Sequence, residues 1–328
     1  MDDLQRITDD PRVTVRRGGS PDPAGTCVVY WMQRAQRGVD NPALDAAVEA
    51  ANALGKPAVV FFAPIPFYPR ANLRHYRFLA EGIPDIAASL NQRKIGFVLR
   101  RFPEHSLVKF CAEVKAALVV GDENPMREPE AWRATAAKKL DIPLWTVDAD
   151  VVVPSKLLEK AQYSAHIIRP RLRVHLGRFL VPPKNVEARV AWKKPESLSS
   201  LDPEFDITAG WPLDTSTGPV SSFLGGTNGA LRLLDDFVKH GLTTYGVNRN
   251  KPEVNGTSRL SPFLHFGHIS PITVALAVEK ADAPKPDKDA FLDQLITQRI
   301  PLEEINRGFD DLKAGRAIRS VIVFGDAV

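Results

Sequence analysis

Cysteine is scarce in this 328-residue chain: there are two, Cys27 and Cys111, both in apolar stretches. That excludes a disulfide framework and reads as a pair of buried thiols. Neither the cysteines nor the seven histidines fall at metal-ligand spacing, so no metal site is expected. His265 and His268 flank Phe266-Gly267 without a third ligand nearby, and packed or surface histidines are the expected reading. No apolar run is long enough to cross a bilayer, and the N-terminus is polar, so a cytoplasmic protein is expected. No G-x-G-x-x-G follows the first apolar run, which excludes the ordinary dinucleotide fingerprint. Charge of neither sign dominates. A net +4 permits a polyanionic partner without establishing one.

The length points to two domains. Residues 1–25 are charged and aperiodic, with Gly18-Gly19 and three prolines, and read as a flexible lead-in. From Thr26 to Asp150 five β-rich apolar runs follow, at 27–31, 58–63, 95–99, 117–121 and 144–148. Stretches with helical periodicity alternate with them, near 42–54, 74–92, 104–115 and 128–139. Near-continuous apolar strands alternating with helices predict a doubly wound parallel sheet over 26–150. Ligands of such sheets sit beyond the carboxyl ends of strands, which singles out the loops after Trp31 (Met32-Gln33-Arg34) and after Phe62.

Residues 151–219 are proline-rich and weakly periodic, and read as an interdomain connector whose Trp192 and Trp211 pack it onto a domain surface. Its basic run over 166–178, with Arg169, Arg171, Arg173 and Arg178, reads as a solvated, interdomain-facing stretch, with a DNA-contacting one as the alternative. From about 220 the texture is helical. Ala230, Leu231, Leu234 and Phe237 form one stripe, with Gly241 at the expected stop. Ser270-Pro271 is a cap and first-position pair. A last helix near 289–299 turns Phe291, Leu292, Leu295 and Ile296 inward, and Pro301 ends it.

Chemistry concentrates in 245–268, YGVNRNKPEVNGTSRLSPFLHFGH. Thr257, Ser258, Arg259, Leu260 and Ser261 put three hydroxyls and a guanidinium after Gly256 at a loop-to-helix junction. Such a junction suits an anionic phosphate, and equally reads as a capped helix start with a surface arginine. TSRLSPFLHFGHIS, with Tyr245 twelve positions ahead, resembles the flavin-binding core of the DNA photolyase and cryptochrome family. The flanking FLGGTNGALRLLDDFV and the YWMQRAQRGVDNPAL near the start are most similar to the class II cyclobutane pyrimidine dimer photolyases.

The resemblance implies an N-terminal α/β domain followed by a C-terminal all-α FAD-binding domain over 220–328. It implies that Tyr245, Thr257, Ser258, Arg259, Leu260, Ser261 and Phe291 hold FAD, and that Arg249 reaches a DNA phosphate. It further implies a monomer whose partner is DNA carrying pyrimidine dimers. The family's α/β domain can also hold an antenna chromophore, of an identity the residues do not give. The implied activity is light-driven reversal of the dimer by electron transfer from reduced FAD.

Two departures qualify that expectation. Gln294 stands where the family carries the glutamate that hydrogen-bonds the damaged pyrimidines, and Gln298 and Ile300-Pro301 differ as well. Glutamine donates a hydrogen bond but delivers no proton. After about Phe291 the resemblance decays, no tryptophan follows Trp211, and residues 308–328 have no family likeness. A photolyase truncated at its C-terminus, holding FAD weakly, is therefore expected. A cryptochrome-like flavin photosensor without repair and an inactive fragment are the alternatives.

Overall fold

The computed structural model describes residues 3–158, 165–297, 299–301 and 321–323. The chain forms two compact units. One comprises Met1–Ala149, Lys184–Gly229 and Phe266–His268; the other comprises Asp150–Pro183, Ala230–His265 and Ile269–Val328.

The first unit runs α1 (Asp3–Thr8), β1 (Val13–Arg17), β2 (Cys27–Trp31), α2 (Pro42–Ala53), β3 (Ala58–Phe62), α3 (Leu73–Ala80), α4 (Ile83–Gln92), β4 (Gly96–Leu99), α5 (Leu107–Glu113), β5 (Ala116–Asp122), α6 (Arg127–Lys139) and β6 (Leu144–Val147). The sheet order is β1-β6-β5-β2-β3-β4. Strands β2 to β6 are mutually parallel, so the sheet is doubly wound as expected. Alternation along each strand divides the core. Val28, Tyr30, Val60 and Phe62 pack on one face, and Cys27, Val29, Val59 and Phe61 pack on the other. Asn41 caps α2, its Oδ1 accepting from the Ala43 and Leu44 amides at 3.0 and 3.1 Å. Gly82 and Pro84 divide the expected 74–92 helix into α3 and α4.

The expected flexible lead-in is corrected by α1 and β1. Strand β1 adds to β6 as an antiparallel edge. Val13 is buried there, and Arg16 bridges Glu123 and Glu130, which holds a strand too polar to read as core. The 151–219 connector is also not a single segment, because residues 150–183 belong to the second unit and 184–229 to the first. In the latter part Trp192 packs with Val98 and Leu198, and the Trp211 ring lies 5.4 Å from Tyr76.

The second unit contains α7 (Ala165–Phe179), α8 (Thr227–Asp236, from Ala230 onward), α9 (Tyr245–Asn248), α10 (Ser261–His265), α11 (Pro271–Lys280) and α12 (Lys285–Thr297). Helix α7 runs through Pro170 and buries Ile168, Leu172 and Phe179 against Val152, Val153 and Ile272. Its outer face carries Arg171, Arg173 and Arg178, in keeping with a solvated basic run. Ser270 caps α11 by accepting from the Ile272 amide at 3.0 Å. Helix α12 ends at Thr297, and a short parallel pair, β7 (Arg299–Pro301) with β8 (Val321–Val323), modifies the all-α expectation. Gln298 and most of residues 308–328 lie outside the described residues.

Candidate functional site

Helix α9 is a single turn that continues a π segment (Phe237–Gly241) and a 3-10 segment (Leu242–Thr244), the Tyr245 amide donating to the Leu242 carbonyl. Helix α12 adds further partners. Tyr245, fully buried, donates its hydroxyl to Gln294 Oε1 at 2.6 Å. The Gly246 amide donates to Asp287 Oδ1 at 2.6 Å, and Arg249 Nη1 donates to the Ala290 carbonyl at 3.3 Å. The Tyr245 ring meets Phe291 edge-on at 5.2 Å, and Phe291 lies 5.0 Å from Phe237. The Arg249 guanidinium stands 5.8 Å from the Tyr245 ring centroid.

Four of the expected site residues, Tyr245, Arg249, Phe291 and Gln294, are thus brought together. Burial pushes the Tyr245 hydroxyl up to about 12, against the opposing pull of Arg249. The tyrosine therefore stays a neutral donor. Arg249 retains a buried Nε–H without an acceptor among the described residues, a donor worth about 1–3 kcal/mol once it is satisfied.

The other expected residues form a separate turn before α10. Exposure alternates through it: Thr257, Arg259 and Ser261 face solvent, while Ser258 and Leu260 are buried. Ser258 Oγ accepts from the Leu260 amide at 3.4 Å, a long local bond. Arg259 has φ +55°, a left-handed conformation that costs a non-glycine residue of order 1–3 kcal/mol and gathers at functional sites. The turn presents two hydroxyls and a guanidinium outward, a donor set suited to a diphosphate. Ser258 and Leu260 face inward and support it.

The last residues of the 245–268 stretch do something the sequence did not signal. Phe266, Gly267 and His268 belong to the α/β unit. Gly267 has φ +70°, and a Cβ there would lie 1.9 Å from the Arg34 carbonyl. Its own carbonyl accepts from buried Arg37 at 3.0 Å, while the same guanidinium donates to Ala149 at 2.9 Å. His268 is fully buried, stacks on Phe78 at 5.1 Å, and accepts from the Gly226 amide through Nδ1 at 2.9 Å. Burial, helped by Arg37, lowers its pKa to about 3. His268 is thus the packed histidine expected, and His265 is exposed.

The loop after β2 is also committed internally. Asp122 Oδ2 accepts from the amides of Gln33, Arg34 and Ala35 at 2.8, 2.7 and 3.0 Å, and its Oδ1 accepts from Tyr30 at 2.7 Å. The amides that the sequence offered to a ligand are held by this carboxylate. At the loop after β3, Phe67 and Phe102 pack edge-on at 5.4 Å and stay exposed. Among the described residues no group of three or more acidic, histidine or cysteine side chains could hold a metal ion, and no helix is long and apolar enough to cross a membrane.

Residues 28–189 match the family model described as DNA photolyase. A deoxyribodipyrimidine photo-lyase of Methanothermobacter thermautotrophicus is 38% identical over 293 residues, covering 88% of this chain and 63% of that protein. Over most of its length the chain is similar to the photolyase and cryptochrome family. The Oryza sativa photo-lyase is 31% identical over 312 residues, covering 88% of this chain and 59% of its own length. The chain spans less than two thirds of each of these relatives. Among solved structures, a class III photolyase from Agrobacterium tumefaciens superposes with TM-score 0.62 at 20% identity, over 87% of this chain and 58% of that one. A Synechocystis cryptochrome gives TM-score 0.64 at 17% identity, over 85% and 60%. These two likenesses show the photolyase fold: an α/β unit and a helical unit.

Proposed function

We propose that this chain carries out light-driven repair of cyclobutane pyrimidine dimers in DNA, in the manner of a class II enzyme with FAD as cofactor. The observation that carries the reading is the cluster on α9 and α12, where Tyr245, Arg249, Phe291 and Gln294 meet. The donor set of the 257–261 turn fits the diphosphate half of FAD, with Thr257, Arg259 and Ser261 as its ligands. The electron that opens the cyclobutane ring is the chemistry that reduced FAD supplies when bound and illuminated.

The chain's own residues do the positioning. Phe291 works from within the core, since it is fully buried, and it steadies the Tyr245 ring. Tyr245 holds the Gln294 amide in one orientation rather than reaching a diphosphate, because its hydroxyl is already bonded. Gln294 offers a neutral hydrogen-bonding group to a pyrimidine and supplies no proton. Arg249, with five N–H donors, has capacity for a DNA phosphate beyond its bond to Ala290.

A second reading, a flavin photosensor without repair, is favoured by one observation: the amide of Gln294 at the family's glutamate position. An absorption spectrum of the purified, FAD-reconstituted chain, followed by illumination with a dimer-containing oligonucleotide, decides between them. Flavin bands with repair support the enzyme, and bands without repair support the sensor. Absence of flavin binding overturns both.

A further inference from the structure

Four groups on α12 engage α9 and Arg249, and their spacing is regular. Asp287, Ala290, Phe291 and Gln294 stand at i, i+3, i+4 and i+7, one stripe of a helix. Each holds something different: an amide, a guanidinium, a ring and a hydroxyl. Three of the four contacts involve the side chains of Tyr245 and Arg249. Asp287 alone grips the backbone of the one-turn helix, at Gly246.

We infer that Asp287 is a positioning residue, clamping α9 onto α12 so that Tyr245 and Arg249 meet Gln294 and Phe291 in register; its consequence for ligand binding rests on the function proposed above. The physical case is direct. Helix α9 is one turn at the end of a run whose bonding changes from a π segment (Phe237–Gly241) to a 3-10 segment (Leu242–Thr244), so its backbone pattern is irregular. The Gly246 amide takes an acceptor from another helix. A carboxylate at 2.6 Å supplies one, with the added strength of a charged acceptor. The site is also shaped for this contact, because a Cβ at position 246 would lie 2.9 Å from Asp287 Oδ1. Glycine permits the approach.

Neighbouring acids do not share the role. Asp289 is bonded to Lys285 on the exposed face, and Asp293 is bonded to Arg173 of α7. Asp287 is the carboxylate of this helix whose bond reaches the backbone of α9.

The test is carried out on the full chain with Asp287→Ala, Asp287→Asn, Gly246→Ala and, as control, Asp289→Ala. Nitration by tetranitromethane, mapped by peptide mass spectrometry, reads whether Tyr245 is covered. Tyr76 in the α/β unit is also buried and reports general unfolding. Titration with FAD reads the site. In Asp287→Ala, Tyr245 becomes nitrated while Tyr76 stays protected, and FAD affinity falls about tenfold or more, as loss of a charge-assisted bond implies. Asp287→Asn keeps an acceptor oxygen and restores protection. Asp289→Ala behaves as wild type.

A Tyr245 that stays covered in Asp287→Ala overturns the clamp. Should that variant unfold generally, Gly246→Ala decides, since its methyl separates the carboxylate from the amide: an unmoved Tyr245 there also overturns the clamp. Tyr245 exposed with unchanged FAD affinity overturns the positioning role. Failure of the unaltered chain to bind FAD overturns the proposed function, and the nitration pattern then still decides whether Asp287 clamps α9.

Discussion

Lowering the pH should loosen the α/β unit through one residue, His268. The imidazole is fully buried, stacked on Phe78, and accepts the Gly226 amide through Nδ1. Protonation would turn that acceptor into a donor facing an N–H, beside the Arg37 charge. Its pKa is accordingly depressed to about 3 in the folded chain, from 6.5. A depressed value means that the unfolded state binds the proton first. The stabilising contribution is therefore complete above pH 6.5 and is lost as pH falls from 6.5 toward 3. The loss amounts to about 1 kcal/mol at pH 5.5 and about 3 kcal/mol at pH 4.5.

All five tryptophans, Trp31, Trp132, Trp145, Trp192 and Trp211, lie in the α/β unit, so tryptophan fluorescence in urea reports this unit selectively. Comparison with His268→Gln, whose Oε1 can still accept from Gly226, cancels the titration of every other group. The wild type should be the more stable at pH 7.5, and its advantage should shrink by those amounts on acidification. A stability gap that stays constant from pH 7.5 to 4.5 would refute the argument that folding holds His268 neutral.

Three further outcomes are expected. Gly267→Ala should destabilise the α/β unit by about 3 kcal/mol or more, since its methyl meets the backbone of Arg34 to Gln36 and the residue has positive φ; a near-neutral effect in the same urea assay would unseat the 266–268 segment. On the proposed function, Gln294→Glu should raise the repair yield per absorbed photon in flavin-loaded protein, because it restores the residue that the resemblance implies at that position; an unchanged or lower yield would show that the glutamine is not limiting. Arg249→Ala should flatten the dependence of log K on log salt for duplex DNA by about 0.9, the share of one neutralised phosphate; an unchanged slope would remove Arg249 from the contact surface.

The five parallel strands were legible because burial on both faces makes each a near-continuous apolar run. Strand β1 was not, since an edge strand reading Val-Thr-Val-Arg-Arg buries only Val13 fully, and its Arg16 pairs with acids over a hundred residues away. Helix α7 hid behind Pro170 and four arginines, and its core face is clear only once Val152 and Ile272 lie against it. In the candidate site, Tyr245, Arg249 and Gln294 stood out by family likeness. Asp287 did not, because a carboxylate two residues into a helix looks like an ordinary first-turn acid. Its partner, Gly246, is forty-one residues earlier. The Asp122 knot was hidden for the same reason: alternation locates β5 but not which loop its last residue will fasten.

On the function proposed above, having an amide rather than a carboxylate at Gln294 bears on what this cluster can do. An amide and a carboxylate offer Tyr245 the same acceptor oxygen, so the 2.6 Å bond and the orientation it imposes are compatible with either. Charge is what differs. Gln294 is only 7% exposed, and in such a setting a carboxylate beside Arg249 would partly neutralise the guanidinium. With the amide, Arg249 keeps its full charge, and its buried Nε–H still lacks an acceptor among the described residues. The substitution therefore shifts the cluster toward holding an anion and away from supplying a proton. On the function proposed above, phosphate recognition by Arg249 should therefore survive in this chain even where dimer chemistry is weak.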